Sequence, residues 1–279
     1  MLNELFLFLV FFVHFLLGKY NPSEGNIVYI MLGTGLLWFG WFGFNSGSAL
    51  TAGSLAAQVA VNTHISASTA MITWVWLDYT LGKKPSASGA CIASVIGLVG
   101  ITPACGFVNI GAAMLIGSIT VLGCRLAMHF LHDLADDRLE VFNCHGVGGM
   151  IGQILTGCFA TTQVNELGAD GAFYGNSSLL GKHIAVCILV AAYTFIITYF
   201  VFFVVEKCWG ISVSLEQQRI GLDDFLHGET HCAPVQRADK APLEPSSPHS
   251  VQMAANAPLE PSRSSADIVQ MKVQRFFVE

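Results

Sequence analysis

The chain of 279 residues is 53% hydrophobic and only 11% charged, with a formal net charge of −6. Ordinary soluble domains carry roughly 25% charged residues. Its mean hydropathy of +0.58 and several apolar stretches of roughly 20 residues, enough to cross a bilayer, exclude an ordinary soluble domain. The composition predicts an all-α polytopic membrane protein. Its thirteen Lys and Arg residues are thinly spread and form no basic patch for a nucleic-acid partner.

Long apolar stretches bounded by charged or turn residues predict about seven transmembrane helices. In chain order they fall near residues 5–17, 27–44, 53–77, 87–104, 107–124, 140–160 and 183–206. Pro103 and Gly106 mark the turn between the fourth and fifth spans. If the C-terminus is cytosolic, Lys182 is the basic residue left in an outer loop, and the inner side holds Lys19, Lys83, Lys84, Arg125, Arg138 and Lys207.

The chain is expected to divide into a membrane part and a soluble C-terminal part. Residues 1–208 contain the predicted spans, and the soluble part begins at residue 209. Residues 233–279 are rich in Pro, Ser and Ala and too poor in large apolar residues to form a core. They repeat the motif APLEPS at 241–246 and 257–262. We expect this tail to be disordered.

The second predicted span ends in the motif LLWFGWFGFNSGSAL, in which aromatic residues precede small polar ones. Trp41 and Phe44 are in the aromatic part, and Ser48 lies in the polar part. One interpretation is an aromatic belt at the membrane interface, followed by a turn. The other is a vestibule for a cation, because aromatic faces attract ammonium-like ions and a serine hydroxyl accepts a hydrogen bond from them.

His145 lies in VFNCHGVGGMIGQIL, an apolar and glycine-rich stretch. An ionisable side chain inside a membrane span is costly and indicates a functional site. In a regular α-helix Gly148, Gly149 and Gly152 would lie on the same side as His145, which leaves a face nearly bare of side chains. Either a small solute passes this face or another helix packs against it. A hydrogen bond to a neighbouring helix is the structural alternative for His145.

The other candidate ligands favour no metal site. His129, His132 and Asp133 form an H-x-x-H-D cluster in a charged loop, but zinc needs three or four convergent ligands. His64 is explained by hydrogen bonding between helices. The cysteines form no C-x-x-C pair and are interpreted as small buried apolar residues; those in apolar stretches are Cys91, Cys105, Cys124, Cys144, Cys158 and Cys187.

Four motifs together resemble the ammonium transporter (Amt/Mep/Rh) family. They are GWFGFNSGSAL at 40–50, GACIASVIGLVGITPACGFVNIG at 89–111, VFNCHGVGGMIGQILTG at 141–157 and GLDDFLHGE at 221–229. They occur in the order found in the second half of those transporters, and the resemblance covers roughly 18–230. It implies a multi-pass membrane transporter of ammonium, most simply of the plasma membrane, with no enzyme activity and no cofactor.

The resemblance also implies an architecture. Family protomers have eleven helices, an outer N-terminus and a cytosolic C-terminus, and they assemble as trimers with one pore each. Helices one to five and six to ten are inverted repeats, and the seven spans predicted here correspond to helices five to eleven. The resemblance assigns residues 209–232 to the cytosolic segment that couples neighbouring subunits, with Ser212 where Arg is usual.

Roles carry over to individual positions. His145 resembles the second of two pore histidines, Trp41 a pore wall beside them, Phe44 the second member of a phenylalanine gate, and Ser48 the hydroxyl of the outer recruitment site. The supporting positions are Asp137, Glu140, where Asp is usual, and Gly149.

The first half of the family fold holds the other pore histidine, and here its position falls at Asn3, with His14 too near the inner end to substitute. Because the pore of an inverted repeat forms between both halves, this chain alone is expected to lack a complete pore. Three hypotheses follow. The first is a transporter sequence without its N-terminal half, assembled as a homo-trimer or with full-length subunits. The second is a half-protein that complements a separate partner or, without conducting, modulates intact transporters, and the third is an intramembrane histidine or metal enzyme.

Overall fold

The computed structural model describes residues 26–131, 137, 139–214, 217 and 221–228, and this part of the chain is helical without a strand. A π-helical turn, Phe142–Val147, leads directly into the fifth long helix. A 3₁₀ turn, Ala172–Tyr174, precedes the sixth. The long helices are α1 (Ile27–Gly47), α2 (Ser54–Thr80), α3 (Ala87–Ile101), α4 (Ile110–Leu131), α5 (Gly148–Phe159) and α6 (Ser177–Trp209).

The predicted all-α membrane fold is confirmed, and each long helix coincides with a predicted span. The predicted span 5–17 lies outside the described residues. By length and composition, α1, α4 and α6 are able to cross a membrane, and α3 is a shorter apolar helix. At 1.5 Å per residue, the 33 residues of α6 extend about 50 Å, well beyond the ~30 Å hydrocarbon core.

Two helix boundaries differ from the sequence prediction for local reasons. Helix α3 ends at Ile101 rather than at residue 104, because Pro103 has no backbone N–H with which to continue the helical hydrogen bonds. Helix α4 continues past residue 124 to Leu131. Its extension carries Arg125, which pairs with the buried carboxylate of Asp78 on α2. His129 therefore lies in the last turn of α4, not in the loop to which the sequence assigned it.

Helix α3 forms the centre of the bundle. Its second half is fully buried, and small residues bring neighbouring backbones close to it. Gly97 lies against the backbone of α2, where Ser66 Oγ donates a hydrogen bond of 2.8 Å to the Gly97 carbonyl. Gly100 lies against Thr120 of α4 and Gly152 of α5. The small-residue spacing thus serves close helix packing, as the sequence indicates.

Helix α1 lies at the edge of the bundle, where it packs on α2 and α3. Asn45 is its buried residue, and none of its most apolar window is buried. Large apolar side chains of α1 are open, including Phe39, which is 77% exposed, and Leu36, which is 65% exposed. One side of α1 therefore has no protein neighbour among the described residues.

The chain divides into two units, Met1–Ser212 and Val213–Glu279. In the second, Ser214 Oγ accepts from the backbone N–H of Gln217 at 3.3 Å and Gln217 Oε1 accepts from that of Ser214 at 2.7 Å. This reciprocal pair has the form of a capping box. A π turn, Asp223–His227, follows it. The predicted division at 208 and 232 stays a prediction.

Candidate functional site

Trp41 of α1 and His145 of the π turn form the centre of the candidate site. Their rings stack, with centroids 6.3 Å apart and planes inclined by 24°. Phe44, one turn further along α1, contacts the Trp41 ring edge-on at 6.0 Å. The structure thus brings together three of the side chains predicted to line a pore. The wall they form is aromatic and carries one imidazole.

The π turn that holds His145 is anchored by a carboxylate. Asp137 accepts hydrogen bonds from the backbone N–H groups of Val141, Phe142 and Asn143 at 2.8, 2.9 and 3.2 Å. Negative charge at the first N–H groups of a helix satisfies donors that otherwise have no partner and complements the helix dipole. Asp137 therefore supports the turn on which His145 stands.

Glu140 completes this support from the other side of the turn. Its carboxylate accepts a hydrogen bond of 2.7 Å from Asn143 Nδ2. Its backbone adopts a φ of 53°, a left-handed conformation that is rare outside glycine. The chain therefore bends sharply just before the π turn, and this bend is consistent with the supporting role predicted for Glu140.

Helical spacing around His145 differs from the sequence prediction. Because Phe142–Val147 is π-helical, with the Gly148 N–H bonded to the carbonyl of Asn143, the regular α-helical register between His145 and the following glycines does not hold. Gly152 instead contacts α3, where an added Cβ would lie 2.2 Å from the Gly100 carbonyl oxygen. Of the two alternatives for this face, helix packing accounts for Gly152. Gly149 is half-buried in α5.

Ser48 lies at the open end of α1. Its hydroxyl donates a hydrogen bond of 2.9 Å to the carbonyl of Phe44. This donation consumes the one proton of the hydroxyl and leaves its lone pairs free to accept from a cation. Ser48 and Phe44 are both exposed. The geometry suits the predicted recruitment role, which stays a prediction.

Two threonines that the sequence analysis did not single out hold α1 in place. Trp41 Nε1 donates a hydrogen bond of 2.8 Å to Thr102 Oγ1, and Asn45 Nδ2 donates one of 3.0 Å to Thr63 Oγ1. The signal for Thr102 is a hydroxyl in the apolar motif VGITPAC, directly before a proline. Apolar periodicity does not reveal such an anchor.

The remaining histidines are considered where the structure describes them. Within the described residues no three His, Cys, Asp or Glu side chains converge on a metal position. His129 contacts the ring of Phe130, and its predicted partners His132 and Asp133 lie outside the described residues. His64 is exposed between the rings of Trp38 and Phe42, at 5.4 and 6.2 Å, rather than in the hydrogen bond expected between helices.

Among the described residues the cysteines form no disulfide, but three of the six that the sequence predicts to be buried are only half-buried: Cys91, Cys158 and Cys187. Cys105, Cys124 and Cys144 are buried. The Cys124 thiol donates to the Asn143 carbonyl, at 3.2 Å from sulfur to oxygen, and so helps to dock α4 against the π turn.

A bundle of apolar helices with an aromatic wall that includes the imidazole of His145 defines an integral membrane protein with a candidate solute path. The model of the Ammonium Transporter Family matches residues 16–232. The chain belongs to this family. The family is one of transporters rather than enzymes, as expected from the sequence.

Curated relatives agree with this assignment. The chain is 45% identical to a putative ammonium transporter of Methanothermobacter thermautotrophicus over 74% of its own length and 51% of the relative's. It is 41% identical to an ammonium transporter of Bacillus subtilis over 74% of its own length and 52% of the relative's. The chain therefore spans about half the length of the curated relatives it matches.

Solved structures show the same half-length match. The crystal structure of Saccharomyces cerevisiae Mep2 superimposes with a TM-score of 0.70 and 32% identity, covering 76% of this chain and 51% of Mep2. Candida albicans Mep2 gives a TM-score of 0.72 and 29% identity, covering 83% of this chain and 56% of Mep2. The fold is therefore the partial ammonium-transporter fold that the sequence motifs predicted.

Proposed function

We propose that this chain supplies one half of an ammonium-conducting pore. The observation that carries the proposal is the stack of Trp41 on His145, which gives an aromatic wall a group able to exchange hydrogen bonds with a solute. Family membership supports ammonium as the solute. Ser48 and the aromatic rings recruit the cation, Phe44 gates the entrance, and His145 guides the solute inward.

The physical chemistry explains why the proposed path conducts ammonia. Carrying an intact cation through hydrocarbon costs several kcal/mol or more. If ammonium leaves a proton at the outer end, neutral ammonia crosses the apolar path, and the imidazole of His145 offers it hydrogen bonds without a fixed charge. Potassium has no proton to give up, so the same path excludes it. Asp137, Glu140 and Gly149 act only by holding the helix of His145.

The proposed pore needs a second half. Trp41 packs on the bundle, but the adjoining flank of α1 that bears Leu37 and Phe44 is open in the described part of the chain, and the matched relatives are about twice as long as the matching region. We propose that the region unmatched in those relatives covers this flank. This region comes either from a longer form of the same polypeptide or from a full-length subunit. The assembled unit is a trimer in the plasma membrane, and its C-terminus is cytosolic. Residues 209–232 couple its subunits.

Methylammonium uptake in transporter-deficient cells tests the proposal. We expect no uptake by this chain alone and uptake when the N-terminal half of the Bacillus subtilis relative is joined to it. His145→Ala should lower the uptake of the joined protein at least tenfold, while His129→Ala, on an exposed ring, should leave it unchanged. Uptake by the chain alone that survives His145→Ala would overturn the proposal.

The second candidate is a non-conducting subunit that modulates intact transporters, favoured by the same half-length match. Co-expression with a full-length relative separates the two. A modulator should co-purify with the relative and change its uptake even when His145 is replaced by Ala, whereas a pore half should lose its effect with this substitution.

A further inference from the structure

Thr102 fixes the orientation of the Trp41 indole. Its hydroxyl oxygen lies 2.8 Å from the carbonyl of Leu98, one turn back in α3, and 2.8 Å from Trp41 Nε1. An indole N–H is only a donor, and a hydroxyl has one proton. The Thr102 proton therefore goes to Leu98, and a lone pair faces the indole. No other polar group replaces this acceptor in the described contacts of Trp41.

One turn further along α1, a second threonine hydroxyl likewise donates to its own helix and accepts from a side chain of α1. Thr63 donates to the carbonyl of Val59 at 2.7 Å and accepts from Asn45 at 3.0 Å. Trp41 and Asn45 are four residues apart and so lie on one face of α1. Both threonines thus tie α1 to the bundle, but Thr102 alone of the two holds a ring that stacks on His145.

The last turn of α3 contacts both sides of the candidate site. Thr102 holds Trp41, while Gly100, two residues earlier, lies against Gly152 of α5, the helix that continues from the His145 turn. There is no room between Gly100 and Gly152 for even a methyl group. This turn therefore links the indole of Trp41 to the helix that continues from the His145 turn.

We propose that Thr102 is a positioning residue that sets the geometry of the Trp41–His145 wall and, through it, the discrimination between ammonium and potassium. The part of this proposal that concerns transport rests on the proposed function. The part that concerns the ring geometry does not, and can be measured on the chain itself.

Indole N–H signals of the full chain in lipid nanodiscs test the geometry, because the chain has five tryptophans and Trp41→Phe identifies the relevant signal. Thr102→Val keeps the shape but removes the acceptor, so we expect the Trp41 signal to move upfield and the His145 ring signals to shift. Thr102→Ser keeps the acceptor and should leave both near their original positions. Thr63→Val is the matched control, since it breaks the other anchor of α1 and should leave the Trp41 and His145 signals unmoved.

Uptake by the protein joined to the Bacillus subtilis N-terminal half tests the consequence. Thr102→Val should lower the ratio of ammonium to potassium uptake about tenfold, the factor that corresponds to one unsatisfied buried donor, and Thr102→Ser should restore it. Thr63→Val should leave the ratio unchanged.

The outcomes separate the two proposals. If the Trp41 and His145 signals stay in place in Thr102→Val, move equally in Thr63→Val, or move as far in Thr102→Ser, the positioning role is wrong. An unchanged uptake ratio in Thr102→Val, with ring signals that move, overturns the selectivity role. If the joined protein without substitutions takes up no ammonium while the ring signals respond as expected, the proposed function fails and the positioning role stands.

Discussion

An imidazole stacked on an indole presents a solute with hydrogen-bonding atoms at one edge and apolar surface elsewhere. At His145 this arrangement depends on groups that do not contact the imidazole themselves. Asp137 holds the backbone of the π turn, and Thr102 holds the indole of Trp41. Residues of this kind set the position of the imidazole. Substituting them tests how the site is held in place without removing the rings that would contact a solute.

Replacing Asp137 tests the support directly. Asp137→Ala leaves the N–H groups of Val141, Phe142 and Asn143 without their acceptor. Loss of a helix-capping side chain costs about 1–2 kcal/mol, so we expect the free energy of unfolding to fall by about that amount. Chemical unfolding in detergent measures it. Asp137→Asn retains one accepting oxygen and should cost less; an Asp137→Ala protein as stable as the original would show that the capping bonds contribute nothing.

At the scale of helices, the bundle depends on close contact between α3 and α5. In Gly152→Ala the new methyl group would lie 2.2 Å from the Gly100 carbonyl oxygen. The methyl carbon is bonded to the backbone of α5 and the oxygen belongs to the backbone of α3, so the contact is relieved only if one helix shifts. Overpacking of this kind costs about 1–3 kcal/mol, so we expect a lower thermal unfolding midpoint.

The matched control is Gly181→Ala in α6, where an added Cβ has no neighbour within 4 Å. Alanine is favoured over glycine in a helix interior by ~1 kcal/mol. The control should therefore unfold at the same temperature or a higher one. Equal midpoints for Gly152→Ala and the original protein would mean that α3 and α5 separate at no cost.

The loop before α6 should respond to pH through Asp170. Hydrogen bonds from Thr162, chiefly from its backbone N–H, lower the pKa of Asp170 from its ordinary value of 3.8. A carboxyl whose pKa falls on folding stabilises the folded chain fully above its ordinary pKa, and this contribution disappears as the pH falls through the folded pKa. The unfolding midpoints of the original protein and Asp170→Asn should differ at pH 6 and converge progressively as the pH falls below 3.8. Exposed Glu166→Gln in the same loop is the control, and a difference that does not shrink as the pH falls below 3.8 contradicts the assignment.

The helices and the site were predictable from sequence to different degrees. Long apolar stretches located α1 to α6, because the length of a membrane span is dictated by bilayer thickness. The motifs placed Trp41 and His145 in one wall. The π turn was not predictable, since it follows from the left-handed backbone of Glu140 and the three bonds to Asp137, which apolar periodicity does not encode. Likewise, the Thr102 anchor joins residues 61 positions apart.

At the scale of the whole molecule, α1 is the element that most needs a partner. Leu37 is seven residues before Phe44, on the same flank of the helix, and the two side chains are 51% and 53% exposed. We expect the chain to co-purify with a separately expressed N-terminal half of the Bacillus subtilis relative, and its thermal unfolding midpoint to rise with the amount of that half, because binding to the folded form alone is stabilising.

Leu37→Arg should abolish both effects, because it places a charge where the two halves would meet, and an unpaired charge is costly in a membrane. Phe200→Arg on α6 is the matched control: Phe200 is also largely exposed, at 62%, but lies on a helix that does not contribute to the wall. It imposes the same general burden of a charge in a membrane span, so any difference between the variants reports on the face itself. If both variants bind the N-terminal half equally well, the flank of α1 that bears Leu37 and Phe44 is not the surface that the second half covers, and the pore must be completed elsewhere.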